Sequence, residues 1–357
     1  MSRPWQPLLH DALQRSWSKR GALACLLWPV SLLYALLVLL RRGLYQSGCL
    51  SAHQVNAVVV VVGNVVTGGA GKTPTVLAVV QHFRQQGYRV GIVSRGYGRK
   101  HSDCLEVSPD ADPQAVGDEP LLLRRRSDVP VFVAARRHDA AQALMARHPQ
   151  TQIIVCDDGL QHYSLYRDVE ICVFDHRGFG NGWLLPAGLL REHWPRRPVK
   201  RIAPDGATAL VLCTAPTRAV AGFSATRTLA AVAQRRDGTT LPLQSLRQAG
   251  AKPLIALAGI GQPEAFFAML RAEGLPLADT LALPDHYAFD SIPSRLINGA
   301  ALLCTEKDAS KLWRIAPEAL AVPLDFQVEP AFFSELDARI RTCIAARLSS
   351  SHGHKTT

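Results

Sequence analysis

A glycine-rich segment between an apolar run and a helical stretch constrains the fold of this chain more than any other feature. Residues 63–74 read GNVVTGGAGKTP and directly follow the valine-rich run Val55–Val62. In such a loop the glycines let backbone N–H groups face an anion, and the lysine, here Lys72, reaches phosphate oxygens. The hydroxyl of Thr73 at the start of a helix can hold Mg²⁺. The segment therefore predicts a strand, a phosphate-binding loop and a helix over Lys72–Gln86.

The remaining sequence alternates β-branched runs with helical stretches, which predicts an open parallel sheet covered by helices on both faces. Further strands are expected at Tyr88–Ser94, Val129–Ala134, Gln152–Asp157 and Val169–Phe174. The segment 194–204 is rich in proline and arginine and predicts a domain boundary near residue 200. A second α/β unit is expected after it, with strands near Ala207–Cys213, Pro253–Ala258, Ala300–Thr305 and Val322–Val328 and a closing helix from Pro330.

Twenty uncharged residues near the N-terminus, Gly21–Leu40, lie between the pairs Lys19-Arg20 and Arg41-Arg42. A helix of this length can cross the hydrocarbon core of a bilayer. The positive-inside rule predicts that the N-terminus stays in the cytoplasm, so a helix that crosses the membrane would place the rest of the chain outside, where no ATP is available for the phosphate-binding loop. We therefore expect an in-plane or re-entrant anchor. A buried core helix is the alternative. A cleaved signal peptide is disfavoured because arginines follow the run where small residues should stand.

The charge balance indicates what kind of partner the protein binds, and the cysteines indicate the redox compartment in which it folds. The chain has 40 Lys+Arg against 29 Asp+Glu, and this formal net charge of +11 favours anionic partners such as acidic lipids, nucleic acid or phosphorylated substrates. The hydrophobic fraction of 48% is too low for a multi-span transporter. The 8 cysteines are scattered without a CxxC pair, which disfavours a zinc site. Four of them lie inside apolar strand-like runs and indicate buried thiols in a reducing compartment: Cys156, Cys172, Cys213 and Cys304.

The predicted strand Gln152–Asp157 ends in two acids, Asp157 and Asp158, as a Walker B segment does. A carboxylate at that strand end can approach a Mg²⁺ held by Thr73. Because neighbouring side chains on a strand point to opposite faces, the two acids cannot have identical roles. Paired acids at a strand end are also common helix caps, so the prediction of a metal site depends on the phosphate-binding loop beside them.

Five other polar residues are candidates for the same site. Asp118, in the segment GDEP that opens a helical stretch, can serve either as a helix cap or as a base, and its position favours the cap. His286 lies in a predicted loop, where a lone histidine is ordinarily solvated surface. Arg95 and Arg137 follow predicted strands at the edge where phosphates would lie, with solvated surface arginines as the equal alternative. Glu192 ends an unusual loop and is a further candidate metal ligand.

Seven sequence blocks occur in fixed order between about residue 55 and residue 310. They are GN-x-x-x-GG-x-GKTP, SRGYG, GDEP, DDGLQH, GN-x-x-LLPAG-x-LRE, DHY-x-F and TEKDA. Together they closely resemble the tetraacyldisaccharide 4′-kinases, the lipid A 4′-kinases of Gram-negative bacteria. The resemblance implies two α/β/α domains, the first with a P-loop NTPase-like and mostly parallel sheet, with the active site in the cleft.

The resemblance also implies an activity and a location. A peripheral enzyme on the cytoplasmic face of the inner membrane would transfer the ATP γ-phosphate to the 4′-hydroxyl of a tetraacyldisaccharide 1-phosphate, which gives lipid IVA. The expected organisation is a membrane-associating segment over 1–50, a kinase domain over 51–200, a second domain over 201–348 and a disordered tail over 349–357. ATP, Mg²⁺, the lipid substrate and the membrane surface are the expected partners, with no nucleic acid and no obligate protein partner.

Site residues follow from the resemblance block by block. The nucleotide-binding residues would be Gly68, Gly69, Ala70, Gly71, Lys72 and Thr73. The metal region would comprise Thr73, Asp157, Asp158 and Glu192. Arg95 and Arg137 are the expected substrate-binding residues because of their positions after predicted strands, not because of the resemblance. Asp118 and His286 would form a catalytic dyad, in which Asp118 accepts the proton of the sugar hydroxyl and His286 orients or tunes it. The resemblance thus reverses the preference for a helix cap at Asp118.

Two positions are left open by the resemblance. The family usually has Ser or Thr where this chain has Val66, with Thr67 one place later, so a hydroxyl contact to phosphate is expected to be lost or shifted while binding survives. Lys307 of TEKDA can equally cap the turn after the last strand or line the cleft.

Two other functions compete with the kinase. A dimerising membrane ATPase with a deviant Walker A loop shares the GGAGKT segment, but such loops place a lysine early, where this chain has Val66 and Thr67. A basic nucleotide sensor or nucleic-acid binder would account for the net charge of +11. No nucleic-acid module is recognisable, and the arginines cluster near the nucleotide loop instead of alternating with aromatic residues.

Overall fold

The computed structural model describes residues 16–99, 102–196, 199, 201–204, 208–217, 219–248, 252–285, 287–289, 292 and 299–352. Contacts divide the chain into two compact units. The first unit consists of Met1–Arg95, Val129–Ala225 and Val328–Thr357, and the second of Gly96–Asp128 and Thr226–Gln327. Both units are assembled from separate stretches of chain, unlike the continuous domains expected on either side of residue 200. The functional division into a kinase domain and a second domain stays a prediction.

The strands and helices are numbered in chain order. The strands are β1 Val58–Gly63, β2 Val90–Ser94, β3 Leu105–Glu106, β4 Val131–Val133, β5 Ile153–Asp157, β6 Val169–Phe174, β7 Leu210–Cys213, β8 Phe223–Leu229, β9 Val232–Gln234, β10 Thr240–Pro242, β11 Leu254–Ala258, β12 Leu277–Ala282, β13 Ala301–Thr305, β14 Leu320–Val322 and β15 Leu324–Val328. The helices are α1 Ala22–Ser47, α2 Lys72–Gln85, α3 Pro113–Val116, α4 Asp118–Ser127, α5 Arg137–Arg147, α6 Pro263–Ala272, α7 Glu306–Leu312 and α8 Pro330–His352.

A parallel sheet lies at the centre of the first unit. Its strands follow the order β7-β6-β1-β5-β2-β4, and their pairings are all parallel. Every residue of β1, β2 and β5 is buried, as expected for strands that helices cover on both faces. Helix α2 contacts β1 and buries Val76, Val79, Val80 and Phe83, which share one helical face. The strand, loop and helix predicted from the glycine-rich segment are therefore present.

Strand β7 corrects one expectation from the sequence. The sequence places the run Ala207–Cys213 at the start of the second unit, whereas Leu210–Cys213 pairs in parallel with β6 of the first unit. Helix α8, the closing helix from Pro330, likewise contacts β1 and β7. An apolar run indicates a strand but does not determine which sheet it joins, because strand pairing depends on neighbours that are distant in the sequence.

The second unit contains a sheet in the order β10-β9-β14-β13-β11-β12. Strands β14, β13, β11 and β12 are parallel, and β9 and β10 add an antiparallel edge. Alternate residues of β11 belong to different apolar clusters, Ala256 to one with Phe267 of α6 and Ile255 to one with Leu312 of α7. Two units with mostly parallel sheets and helices confirm the predicted α/β fold class. The run Val322–Val328, predicted as one strand, is divided between β14 and β15.

Helix α1 is long, apolar and mostly exposed. It spans 26 residues, of which Ala24, Ser31 and Tyr45 are buried. Leu33 and Leu37 are 65% and 64% exposed. Among the described residues, this is the one helix whose length and composition would allow it to cross a membrane. Its exposure contradicts the alternative of a buried core helix and fits a membrane-associating segment.

Candidate active site

The phosphate-binding loop joins β1 to α2 through glycines in the left-handed region. Gly68 has φ +86° and Gly71 has φ +91°, a backbone conformation that side chains with a Cβ rarely adopt. A Cβ on Gly71 would also lie 3.0 Å from the Cγ2 atom of Thr214. The loop therefore requires glycine at these positions, and Lys72 follows directly as the first residue of α2.

A second loop holds the phosphate-binding loop from outside. The backbone N–H of Thr67 donates to the carbonyl of Leu189 at 2.9 Å, and the N–H of Arg191 donates to the carbonyl of Val65 at 2.7 Å. Val66 forms an isolated antiparallel bridge with Leu190 and is fully buried. The apolar side chain at position 66 thus packs in the interior, and the LLPAGLLRE segment supports the loop through its backbone.

Three polar residues that the sequence analysis did not identify also support this loop. Thr214 donates its hydroxyl to the Ala70 carbonyl at 3.0 Å, and Asn64 donates its amide to the Gly68 carbonyl at 3.1 Å. Arg177 donates to the Thr67 carbonyl at 3.1 Å. Asn64 belongs to the glycine-rich segment itself, but the other two lie more than a hundred residues away in sequence.

Arg177 is held by the fully buried Asp175, which follows β6. The guanidinium nitrogen Nη2 lies 2.7 Å from Oδ2 of Asp175, and Nε lies 3.0 Å from both carboxylate oxygens. Burial alone would raise the pKa of Asp175, but the hydrogen bonds and the charge of Arg177 outweigh it and lower the pKa. Charged residues just after a parallel strand are a signal that could have identified this pair.

Lys72 faces Asp158 within the first unit. Its Nζ atom lies 3.5 Å from Oδ1 of Asp158 and 3.5 Å from the side-chain oxygen of Asn64. Arg191 approaches the other carboxylate oxygen of Asp158 at 3.7 Å. Burial raises the pKa of Asp158, but Lys72, Arg191 and Arg137 outweigh it, so the pKa is lowered and the carboxylate is ionised at neutral pH.

The two adjacent acids have different surroundings. Asp157 ends β5, is 2% exposed and accepts a hydrogen bond from the Ser94 hydroxyl at 3.2 Å. Asp158 lies beyond the strand with φ +47°, in the left-handed region. Its carbonyl accepts a hydrogen bond from Arg137 at 2.8 Å. The distinct partners agree with the expectation that the two acids are not equivalent.

The candidate substrate arginines differ in exposure. Arg137 is buried, and its backbone N–H donates to Nε2 of His162 at 3.2 Å. Burial and the nearby Arg137 charge lower the pKa of His162 to about 3, so the neutral ring accepts this hydrogen bond. Arg95 follows β2 and is exposed. Arg137 thus supports the DDGLQH turn, and the substrate-binding role of both arginines stays a prediction.

Glu192 is occupied by protein partners. Its Oε2 atom lies 2.8 Å from the Tyr163 hydroxyl, 3.2 Å from Nε of Arg196 and 3.4 Å from Nη1 of Arg42. Burial alone would lower the pKa of Arg196, but Glu170 and Glu192 raise it. Among the described residues, no group of three or more His, Cys, Asp or Glu side chains is gathered for a metal ion. The geometry around Glu192 is that of a buried charge network, and its metal role stays a prediction.

Replacing Glu192 with glutamine separates these two roles. If the network is structural, Glu192→Gln should lower the free energy of unfolding by about 2–3 kcal/mol, because it leaves buried arginine charge less well paired. Urea unfolding without ATP or Mg²⁺ measures this loss. The control Glu335→Gln removes an exposed pair with Arg339 and should cost at most about 0.5 kcal/mol. Unchanged stability together with weaker Mg²⁺-dependent ATP binding would instead favour a metal ligand.

The candidate base lies in the second unit. Asp118 is the first residue of α4, whose N-cap is Gly117, so it is not the cap that its position alone favours. Its Oδ2 atom accepts a hydrogen bond from Nζ of Lys311 at 2.8 Å. His286, the other member of the predicted dyad, lies outside the described residues. The pairing of Asp118 with His286 therefore stays a prediction.

Comparison with known proteins decides the family. The sequence model of the family described as tetraacyldisaccharide-1-P 4′-kinase matches residues 23–341. The chain belongs to the tetraacyldisaccharide-1-P 4′-kinase family. This confirms the resemblance found in the ordered motifs, and the match includes helix α1 as well as both units.

Members of the tetraacyldisaccharide-1-P 4′-kinase family match the whole length of the chain. A tetraacyldisaccharide 4′-kinase of Polaromonas naphthalenivorans (strain CJ2) is 52% identical over 353 residues, which cover 98% of this chain and 100% of that protein. The corresponding kinase of Acidovorax sp. (strain JS42) is 52% identical over 357 residues, 99% of this chain and 100% of that protein. A crystal structure of the apo form of LpxK from Aquifex aeolicus in complex with ATP has a TM-score of 0.72 and 28% identity, and the match covers 89% of this chain and 99% of that chain.

Proposed function

We propose that this chain is an ATP-dependent kinase that phosphorylates the 4′-hydroxyl of a tetraacyldisaccharide 1-phosphate and so makes lipid IVA for lipid A biosynthesis. The observation that carries the proposal is the phosphate-binding loop, which hydrogen bonds from other segments hold in place. The relatives that match the whole chain are named tetraacyldisaccharide 4′-kinases. Phosphoryl transfer needs positioning and charge neutralisation more than covalent chemistry. The backbone of the loop can position the phosphates, and Lys72 can neutralise their charge.

ATP binding is assigned to the loop over Gly68–Thr73. Its backbone N–H groups and the N-terminus of α2 suit the phosphates, and Lys72 supplies the cation for the oxygens that gain charge. Asp158 and Asn64 hold the Lys72 ammonium at the start of α2 before phosphate arrives. Arg177 and Thr214 donate hydrogen bonds to loop carbonyls and so keep these oxygens turned away from the phosphates.

Mg²⁺ fits the donor groups of the first unit. This ion usually keeps several waters and takes one or two carboxylates together with substrate phosphates, so it does not need a cluster of three acids. The Thr73 hydroxyl at the start of α2 and the carboxylates of Asp157 and Asp158 would hold it. When bound, Mg²⁺ neutralises charge on the transferred phosphoryl group.

Proton removal is assigned to Asp118. A carboxylate that accepts the proton of the sugar hydroxyl makes the oxygen a better nucleophile toward the γ-phosphate. The ion pair with Lys311 favours the ionised form of Asp118, which is the form that accepts a proton. His286 is proposed to orient or tune this group.

Location at the cytoplasmic face of the inner membrane is supported by helix α1. Its exposed leucines suit acyl chains, and basic residues at both ends suit anionic headgroups. Ser31 donates to the Leu184 carbonyl at 2.9 Å and Tyr34 donates to the Arg191 carbonyl at 3.0 Å. The apolar helix thus contacts the same segment that supports the phosphate-binding loop, which suits an acceptor already dissolved in the bilayer.

The proposed reaction is tested by transfer of labelled γ-phosphate from Mg-ATP to tetraacyldisaccharide 1-phosphate in detergent micelles. A labelled bisphosphorylated lipid is the expected product, and an acceptor whose 4′-hydroxyl is blocked is the control that should remain unlabelled. ATP hydrolysis stimulated by micelles without labelled lipid would contradict the kinase and favour the membrane ATPase. Salt-sensitive DNA binding without transfer would favour the nucleic-acid binder.

Replacing the exposed leucines of α1 should release the protein from membranes. We expect Leu33→Gln, Leu37→Gln and Leu40→Gln together to weaken vesicle binding on the order of 10³-fold, since each buried leucine contributes at least about 1.5 kcal/mol. Co-sedimentation with anionic vesicles measures the effect. ATP binding should persist, and the exposed Ile315→Gln in the second unit is the matched control. Undiminished sedimentation of the triple variant would exclude α1 as the anchor.

A further inference from the structure

Two lysines on one face of α7 connect the same two segments of the second unit. Lys311 donates to Oδ2 of Asp118 at 2.8 Å and to the carbonyl of Tyr287 at 2.8 Å. Lys307, four residues earlier on the same helical face, donates to Glu119 and to Asp285, both at 3.2 Å. Each lysine therefore joins the start of α4 to the segment around Asp285 and Tyr287.

These ion pairs are largely shielded from water. The side chains of Lys311 and Asp118 are 11% and 9% exposed, and that of Lys307 is 15% exposed. Burial alone would lower the pKa of Lys307, but Glu119 and Asp285 outweigh it and raise the pKa. Charge-assisted hydrogen bonds that are shielded from water fix the positions of their side chains far better than exposed ion pairs do.

Helix α7 has a cap and apolar contacts of its own in addition to the ion pairs of the two lysines. Thr305 caps the helix by accepting the N–H of Asp308 at 3.3 Å, and Asp308 accepts the N–H of Gly259 at 2.9 Å. Ala309 and Leu312 pack into the apolar cluster on one face of the sheet. The cap and the apolar face thus anchor the helix, and the two lysines extend from it to the segments that they join.

Asp118 borders a cavity that a hydroxyl group can enter. The cavity has a volume of about 110 Å³ and is also lined by Tyr97, Gln114, Lys311 and Arg314. Arg314 is itself paired with Asp112 at 2.7 Å. The Lys311 ammonium contacts the Asp118 carboxylate directly, with 2.8 Å between Nζ and Oδ2.

We propose that Lys311 is a positioning residue for the phosphoryl transfer, which fixes the Asp118 carboxylate in its ionised form, with Lys307 as a second brace on the same segments. The inference rests on the proposed function and deepens it. Lys311 acts through Asp118, whose carboxylate it contacts at 2.8 Å. The role left open for Lys307 of TEKDA is thereby assigned to support of GDEP.

The test compares Lys311→Met, Lys307→Met and Lys311→Arg with wild type in the labelled-phosphate assay. Lys311→Met should lower kcat about 10²-fold, as expected when a catalytic group is misplaced, while KM for ATP and for lipid changes by less than about threefold. The acid limb of the kcat–pH profile should change in Lys311→Met, because the ammonium that lies 2.8 Å from the Asp118 carboxylate is lost. Lys307→Met should lower kcat by about tenfold. Lys311→Arg, which keeps the positive charge, should retain part of the kcat that Lys311→Met loses.

A double-mutant cycle separates positioning from a merely structural role. Adding Lys311→Met to Asp118→Asn should lower kcat no further, because Lys311 acts through Asp118. An additional loss, or a normal kcat and pH profile in Lys311→Met accompanied by lower thermal stability, would overturn the proposal. If Lys311→Met does not fold, Lys311→Gln keeps a hydrogen-bond donor without the charge and carries the same expectations.

The same assay distinguishes failure of this inference from failure of the kinase proposal. A wild type without transfer would refute the kinase itself. A wild type that transfers phosphate with Lys311→Met at full kcat would refute the positioning role alone. Lys252→Met, which changes an exposed lysine of the second unit, is the control and should match wild type in kcat and KM.

Discussion

Lys72→Ala is expected to lower kcat/KM for phosphate transfer by about 10³-fold or more, because it removes the cation placed to neutralise charge that develops on the phosphate oxygens. Transfer of labelled γ-phosphate to the lipid acceptor measures this loss. The substitution also removes the partner 3.5 Å from Asp158, so the pKa of that carboxyl should rise toward its ordinary range.

The matched control for Lys72→Ala is Lys252→Ala, which removes an exposed lysine and should retain full activity. Circular dichroism and thermal unfolding should be nearly unchanged in both variants, since Lys72 is partly exposed at a helix start. Transfer by Lys72→Ala within about tenfold of wild type would contradict the assignment of the phosphate-binding loop. Loss of transfer in both variants would instead indicate damage to the fold.

Asp118→Asn is expected to lower kcat by about 10²–10⁴-fold, the range for loss of a general base, without a matching loss of ATP affinity. The amide has nearly the same shape as the carboxylate but cannot accept the hydroxyl proton. Single-turnover transfer and ATP binding, measured on the same preparation, separate chemistry from binding.

Asp112→Asn is the control for Asp118→Asn. Asp112 caps α3 by accepting the N–H of Gln114 at 3.2 Å, a function that asparagine retains, and it pairs with Arg314 in an exposed position. We expect full kcat in this variant. Full kcat in Asp118→Asn would remove Asp118 from the reaction, and loss of ATP binding there would show that it supports the nucleotide instead.

Much of the first unit could be predicted from local sequence. Strand β6 has the predicted bounds, Val169–Phe174, and α2 begins at Lys72 as predicted. The predicted strand Val55–Val62 begins three residues too early, since β1 starts at Val58. Apolar runs that a parallel sheet buries on both faces give this clear signal, because every side chain along them must be apolar.

Elements with a weaker apolar pattern were not predicted. Strand β8 alternates exposed with buried or partly buried residues, and β12 has no fully buried residue. Strands β9 and β10 are only 3 residues each. Short edge strands owe their conformation to pairing partners more than to their own residues. The grouping of Gly96–Asp128 with the second unit likewise depends on contacts with distant sequence.

Local sequence is sufficient to establish the chemistry of the phosphate-binding loop. Glycines at positions 68 and 71, followed by Lys72 and Thr73, can be read locally, because φ values and helix N-termini depend on nearby residues. The ordered motifs were likewise sufficient to identify the family, which the comparisons confirmed.

The side chains that support these groups could be identified only from contacts between distant segments of the chain. Arg177 and Thr214 reach the phosphate-binding loop from more than a hundred residues away, and Lys311 reaches Asp118 across 193 residues. Glu192, assigned to the metal by resemblance, is bound by arginines and a tyrosine in a buried network. A short motif specifies the local backbone and the kind of chemistry, whereas hydrogen bonds between distant segments form only after packing has brought those segments together.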